Sequence, residues 1–259
     1  MQAAMDEDMR RTLRSRDMLA RNPNLLLWYE RLFDAMLGET LLRPGSRILE
    51  IGSGASPLKQ LAPAVITSDV MPLPYLDHVV DCHRLREYAG IEDGSLDAIV
   101  LSNVLHHLRD PLQFLDGASA KLRPGGQMIM TEPYFSWLSL PIYKLLHPEP
   151  VDFSVSEPLL DVGNGPLSSS NQAIPHMIFF SRPDWRARLE RAYEPAATRI
   201  DHFSSLSYMM TGGISRRLPV PQALYRALFP FDGWVARKAP RAFASFFIVR
   251  LTTRSPSCA

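Results

Sequence analysis

The chain has 259 residues, 46% of them hydrophobic, enough to bury a full core, and a single elaborated domain is expected. A formal net charge of +1 excludes a global field that would recruit nucleic acid, although residues 209–259 carry eight Lys/Arg against one acid, Asp232. Cys82 and Cys258 offer neither a metal-ligand spacing nor a disulfide framework, which fits a reducing compartment. The charged start MQAAMDEDMRRTLRSRD lacks the apolar core of a signal peptide, and no run approaches the roughly 20 apolar residues that cross a bilayer, so the expected location is the cytoplasm.

In chain order, NLLLWYERLFDAMLGETL repeats Trp28, Leu32, Phe33, Met36 and Leu37 at helical spacing and predicts an amphipathic helix ended by Arg43-Pro44-Gly45. The pattern then alternates. RILEI reads as a buried strand, SPLKQLA as a brief helix, AVITSDV as a strand, DHVVDCHRL as a strand edge, LDAIVLSNV as a strand, PLQFLDGASAKL as a helix and GGQMIMTEP as a strand. Such alternation predicts an α/β fold with a mostly parallel sheet, whose ligands sit at the carboxyl ends of the strands. Regularity fails after Glu132. Residues 133–180 mix aromatics, prolines and polar turns and read as an irregular excursion over the ligand edge. SRPDWRARLERAY follows as a helix with Ser181 as cap, and ATRIDHFSSL and AFASFFIVRLTT read as late strands flanking a second insertion, residues 207–240.

Chemistry concentrates where strands end. Gly52 and Gly54 directly follow a strand, so the backbone can turn tightly and approach a ligand. A dinucleotide loop would carry a third glycine to seat pyrophosphate, where this chain has Ser56 and then Pro57. S-adenosylmethionine has no phosphate, and Glu50 could bond its ammonium group. Asp69, ending VITSD, suits a ribose diol or else caps a turn. Asp81 could accept from an adenine amino group while the backbone of Cys82 meets the ring edge.

These motifs, together with EDGSLDAIVLSNVLHHLRDPLQFLDGASAKLRPGGQMIMTEP, resemble the core of the class I S-adenosylmethionine-dependent methyltransferases, in the broad small-molecule branch. The resemblance covers Arg43 to about Pro133; the remainder is similar to uncharacterised bacterial methyltransferase-like proteins. It implies a Rossmann-like sheet, mostly parallel with an antiparallel last strand, helices on both faces and a lid formed by the two insertions. Residues 1–42 would be N-terminal helices and 43–259 the methyltransferase domain. It further implies that Glu50, Gly52, Ser53 and Gly54 line the methionine end of the cofactor and that Asp69 holds the ribose. Asp81 and Cys82 would meet the adenine, and Asn103 would face the sulfonium. The missing third glycine leaves the hold on the methionine end less conventional.

For the acceptor, His107 and His106 are candidate general bases, since imidazole titrates near neutrality, although packing or loop-fixing roles compete. Glu132 could orient or deprotonate an acceptor, or form an ionic cap over the next loop. Tyr134, Asn171 and Gln172 are further candidates, whereas His147 and His176 carry no assignment. No metal is expected, because adjacent histidines rarely converge on one ion and no third ligand stands at a recognisable spacing. The expected activity is methyl transfer to a small-molecule, glycan or lipid-linked acceptor, with residues 133–180 and 207–240 forming its pocket. The alternative is a catalytically silent cofactor-binding protein, a sensor or partner subunit; a nicotinamide oxidoreductase is disfavoured by Ser56 and by NVLHHLRDP. The basic and aromatic residues of the second insertion fit a lid with solvated arginines or peripheral contact with anionic membrane. No nucleic-acid partner is expected, because an Asn/Asp-Pro-Pro-aromatic run is absent.

Overall fold

The computed structural model describes residues 2–255 apart from 42, 162, 164 and 215, so Cys258 lies outside the described residues. Two long helices lead the chain, α1 (Gln2–Ala20) and α2 (Pro23–Leu41). The first half of the sheet follows as β1 (Ile48–Ile51), α3 (Leu58–Leu61), β2 (Ile66–Asp69), β3 (His78–Val79), β4 (Leu96–Ser102), α4 (Pro111–Ala118) and β5 (Leu122–Pro133). The excursion contributes α5 (Ser139–Leu146) and α6 (Ala173–His176), and α7 (Pro183–Ala187) follows it. After it come β6 (Arg199–Phe203), α8 (Ser207–Thr211), α9 (Gln222–Lys238), α10 (Pro240–Phe243) and β7 (Phe246–Thr252).

The seven strands form one sheet in the order β3-β2-β1-β4-β5-β7-β6. β1, β2, β3, β4 and β5 pair in parallel, and β7 runs antiparallel between β5 and β6. This is the Rossmann-like sheet with an antiparallel last strand that the family resemblance implies. β1, β4 and β5 carry apolar side chains on both faces because both faces are covered. On one side Leu49, Ile99, Leu101, Met128 and Met130 meet Phe114 and Leu115 of α4 and Ile178 and Trp185 beyond the excursion. On the other, Ile48, Ala98, Val100 and Ile129 meet Leu25, Trp28, Leu32 and Met36 of α2. α4 starts where Asp110 accepts the Gln113 N–H and Pro111 supplies a preset first turn.

Two local expectations change. The predicted strand edge at DHVVDCHRL is a two-residue strand followed by a 3-10 turn, Cys82–Glu87, because Asp81 accepts the His83 N–H and caps it. Ser181 caps no helix: it ends a π turn, Met177–Ser181, and α7 begins at Pro183, where proline presets the first turn. The second insertion packs α9 against β6 and α2, and through α10 it joins the excursion, with Trp137 N–H donating to the Arg241 carbonyl at 3.0 Å. Asp232 pins this insertion by accepting the N–H groups of Ser205, Leu206 and Ser207. Its helix α9 buries Tyr225, Gly233 and Ala236 while Leu224, Leu228, Phe231 and Trp234 face solvent.

Trp28 fastens α2 to the sheet. Fully buried, it lies within 5.5 Å, centroid to centroid, of Tyr29, Phe203, Tyr208 and Phe246, and its indole N–H donates to Ser204 Oγ at 3.1 Å. Trp28→Ala is expected to lower unfolding free energy by about 3–5 kcal/mol in urea titration. A loss below about 1 kcal/mol would mean that α2 is not part of the cooperative core.

Candidate functional site

The glycine turn sits at the carboxyl end of β1. Gly52 has φ +72°, a conformation that L side chains rarely adopt, and a Cβ there would overlap Val104 Cγ2. A Cβ on Gly54 would stand 2.9 Å from Thr12 Cγ2 and 3.3 Å from Asp69 Oδ2. Both glycines are therefore required by close approach. Ser53 ties the turn to β2, its N–H donating to the Ser68 carbonyl at 2.9 Å and its hydroxyl accepting the Ser68 N–H at 3.1 Å. From outside, α1 lies over the turn through Thr12 and through Arg16, whose Nη1 donates to the Ser56 carbonyl at 3.2 Å. Arg16 also stacks on the Tyr75 ring, and Tyr75 donates its hydroxyl proton to the Gly54 carbonyl.

Glu50 is 1% exposed. Its Oε1 accepts from the Ser56 hydroxyl at 2.5 Å, and its Oε2 has no partner among the described residues. Ser56, which replaces the third glycine, therefore holds Glu50 in place. Burial pushes the Glu50 carboxyl up to about 7, with the Ser56 and Ser53 hydroxyls opposing the shift. An unpartnered buried carboxylate oxygen beside a glycine turn fits a ligand that brings a cation, as the ammonium group of S-adenosylmethionine would. Asp69 is also buried, but Gly54 N–H donates to Oδ2 and Met71 N–H to Oδ1, at 3.0 and 2.9 Å. Each oxygen keeps a second lone pair for a ribose hydroxyl. Burial raises the Asp69 carboxyl, and the backbone N–H groups oppose that.

At the next corner Asp81 is exposed, with Oδ1 accepting from both His83 N–H and His83 Nδ1. Cys82 is half-buried, and burial pushes its thiol up. Asn103 has φ +55°, a left-handed position that asparagine tolerates; its N–H donates to the Thr131 carbonyl, and the reversal sends Val104 against Gly52.

Beyond Val104 stands a cluster of ionisable groups. Glu132 is fully buried, its Oε1 accepting the N–H groups of Val104 and Leu105 at 3.1 and 2.7 Å and its Oε2 lying 2.5 Å from His106 Nδ1. The other nitrogen of His106 is 3.1 Å from Glu149 Oε2. Burial opposes a charge on His106, but the carboxylates of Glu132 and Glu149 prevail and hold it up to about 10. Both ring nitrogens of His106 are thus engaged by carboxylates, which favour its charged form. Glu132 has both oxygens engaged by the loop that follows β4. His107 is more open: Nδ1 lies 3.2 Å from the Ser169 carbonyl and Nε2 3.5 Å from Glu149 Oε1. A carbonyl only accepts, so Nδ1 carries a proton and Nε2 faces Glu149.

Glu149, in the excursion sequence HPEP, is the residue that sequence reasoning missed. The His106 and His107 contacts keep its carboxyl well below the usual range, against its burial. Gln172 Nε2 donates to Glu149 Oε2 at 2.9 Å and to His147 Nδ1 at 2.7 Å, while Gln172 Oε1 is buried without a partner. Asn171 pins the excursion instead: its N–H donates to the His106 carbonyl, and its amide bonds the backbone of Asp152 and Ala173. Tyr134 packs edge-on against His202 and Phe180, and burial brings the neighbouring His176 down to about 4.

With this geometry in hand, the chain was compared with known proteins. A family model described as a methyltransferase domain matches residues 18–192. An uncharacterised 37.1 kDa protein in a transposon of Streptomyces fradiae is 35% identical over 123 residues, 41% of this chain and 35% of that protein. A ubiquinone biosynthesis O-methyltransferase of Xanthomonas campestris is 28% identical over 104 residues, 34% of this chain and 43% of that enzyme. The chain thus spans less than half the length of these curated relatives. A solved SAM-dependent methyltransferase from Thermotoga maritima shares the fold at TM-score 0.51 and 13% identity, each chain covered to 96%. No helix among the described residues is long and apolar enough to cross a membrane.

Glu50 makes a pH signature. Its unfolded carboxyl ionises near 4.5 and its folded one near 7, so the cofactor-free fold loses stability as pH rises through that window. The full loss is about 3 kcal/mol. Glu50→Gln should remove this dependence and make the cofactor-free protein more stable than wild type at pH 8 by at least about 1 kcal/mol in urea titration. Equal midpoints at pH 8 would show that Glu50 is not strained.

Proposed function

This chain belongs to the methyltransferase-domain family, and from that premise we propose that it transfers the methyl group of S-adenosylmethionine to a hydroxyl of a small-molecule, glycan or lipid-linked acceptor. The observation that carries the reading is Glu50, buried with an unpartnered oxygen beside the Gly52 turn. The cofactor supplies an electrophilic methyl on a sulfonium with a good leaving group, so the protein's task is alignment and exclusion of water. Glu50 holds the ammonium, Gly52, Ser53 and Gly54 give the methionine end close backbone, and Asp69 takes the ribose with its spare lone pairs. Asp81 and Cys82 border the adenine, and Asn103 borders the sulfonium.

The acceptor stands at the partly exposed end of the ionisable cluster, where His107 and Glu149 offer a proton acceptor and a negative charge. His106 and Glu132 keep those two in place. A hydroxyl acceptor is favoured over an amine because the Xanthomonas relative is named an O-methyltransferase and because a hydroxyl needs the proton removed. The cluster also weighs against a silent cofactor-binding protein, since burying His106 with two carboxylates costs desolvation that cofactor binding alone does not use.

The test is transfer of labelled methyl from S-adenosylmethionine to a panel of phenols, sugar nucleotides and lipid-linked glycans. Label should appear on a hydroxyl. Glu149→Gln should lower the rate by about 100-fold or more with cofactor affinity unchanged, as loss of proton-transfer assistance does. Gly52→Val and Asp69→Ala should abolish or strongly weaken cofactor binding in folded protein. A rate untouched by Glu149→Gln would remove the cluster from the acceptor site.

A further inference from the structure

The cluster His106, His107 and Glu149 has an arrangement that proton transfer alone does not require. Both histidines have their Nδ1 side committed outward, His106 to the Glu132 carboxylate and His107 to the Ser169 carbonyl. Both consequently turn Nε2 toward the same carboxylate, at 3.1 Å from Glu149 Oε2 and 3.5 Å from Glu149 Oε1. One ligand atom from each of the three residues lies within 4.8 Å of the other two. Metal bonds of about 2.0–2.2 Å at tetrahedral angles set neighbouring ligands roughly 3.3–3.6 Å apart, close to the two separations seen. A carboxylate or backbone carbonyl on the far nitrogen is also how proteins orient metal-binding histidines. Gln172 adds a hydrogen bond to the ligating carboxylate, which completes the outer support.

We propose that His106 Nε2, His107 Nε2 and Glu149 bind one first-row divalent cation that holds the acceptor hydroxyl for methylation. This rests on the methyl-transfer reading above and replaces its proton acceptor: with His107 and Glu149 as ligands, the cation rather than either side chain activates the hydroxyl. Two imidazoles and one carboxylate suit Zn2+ or Fe2+ rather than Ca2+ or Mg2+, which prefer all-oxygen shells. Three protein ligands leave a position open. It lies on the side where His107 and Glu149 side chains are 15% and 28% exposed, against 3% for His106. The acceptor oxygen takes the open position, where the cation lowers its pKa and its proton leaves to water. The oxygen lone pair then forms the O–CH3 bond as the S–CH3 bond breaks, and that electron pair stays on sulfur.

A second three-residue group, Asp81, Cys82 and His83, lacks these properties. Asp81 Oδ1 is taken by His83, His83 Nε2 accepts the Asp110 N–H, and burial keeps the Cys82 thiol protonated.

The experiment is titration of chelator-treated full chain with Co2+, followed by visible absorption, then displacement by Zn2+. Wild type should take up one equivalent in a low-coordinate, strongly coloured site. Glu149→Gln, and His107→Asn, whose amide can keep the Ser169 hydrogen bond, should each weaken uptake by at least about 100-fold. His83→Gln should change nothing. Absence of stoichiometric Co2+ in wild type, survival of the site in both variants, or its loss in His83→Gln overturns the proposal. Calorimetry with S-adenosylmethionine on the same samples separates the two readings. Cofactor binding without Co2+ uptake removes the cation and leaves methyl transfer standing, whereas loss of both removes the two together.

Discussion

Three carboxylates, Glu50, Asp69 and Glu132, are buried at the carboxyl ends of β1, β2 and β5, and water reaches none of them freely. A buried acid must find donors or keep its proton, and each of these meets that demand differently. Asp69 takes backbone N–H groups of the glycine turn and of Met71, so it shapes the turn. Glu132 takes two backbone N–H groups and the His106 ring, so it fixes the chain after β4. Glu50 has one hydroxyl for two oxygens. The fold therefore carries one acid that its own residues leave incomplete, and it lies where the glycine turn admits a ligand.

The chain reversal at Asn103 links the two halves of the site. Its left-handed backbone brings Val104 onto Gly52, while Glu132 grips Val104 and Leu105 by their N–H groups. The glycine turn thus touches, through Val104, the segment that carries His106 and His107. Above the turn, α1 adds a removable layer: Thr12 and Arg16 touch it, and Asp8 accepts the Leu167 N–H of the excursion at 3.0 Å. One helix then bridges the cofactor turn and the acceptor segment.

Much of this was legible in the sequence because it is local. Glycines after a short apolar strand, an acid closing the next strand and an alternating strand-helix pattern are each written within a few residues, and a mostly parallel sheet followed from that alternation. The site residues split along the same line. Glu50, Gly52 and Gly54 stand together in one short motif, with Glu50 bonded to nearby Ser56, so the sequence alone could single them out. Glu149 acts through His106 and His107, more than 40 positions away, from a proline-rich stretch without periodicity. Its only signal was an acid among HPEP in an irregular region. Asp81 read as an adenine acceptor, yet the structure also makes it a cap, because a short acid after a strand serves either purpose until the following turn is seen. Glu132 and His106 read as catalytic candidates in the sequence, whereas their burial and their pairing with each other are tertiary facts.

The most direct test of the central claim is calorimetric titration of the folded protein with S-adenosylmethionine, run from about pH 5.5 to about pH 7.5 in wild type and in Glu50→Gln. Glu50 must give up its proton to meet the ammonium, so wild-type affinity should climb with pH toward about 7, while the variant binds weakly and without that slope. Equal affinity in the two proteins, or no binding by folded wild type, would contradict the assignment of Glu50 and the glycine turn to this cofactor.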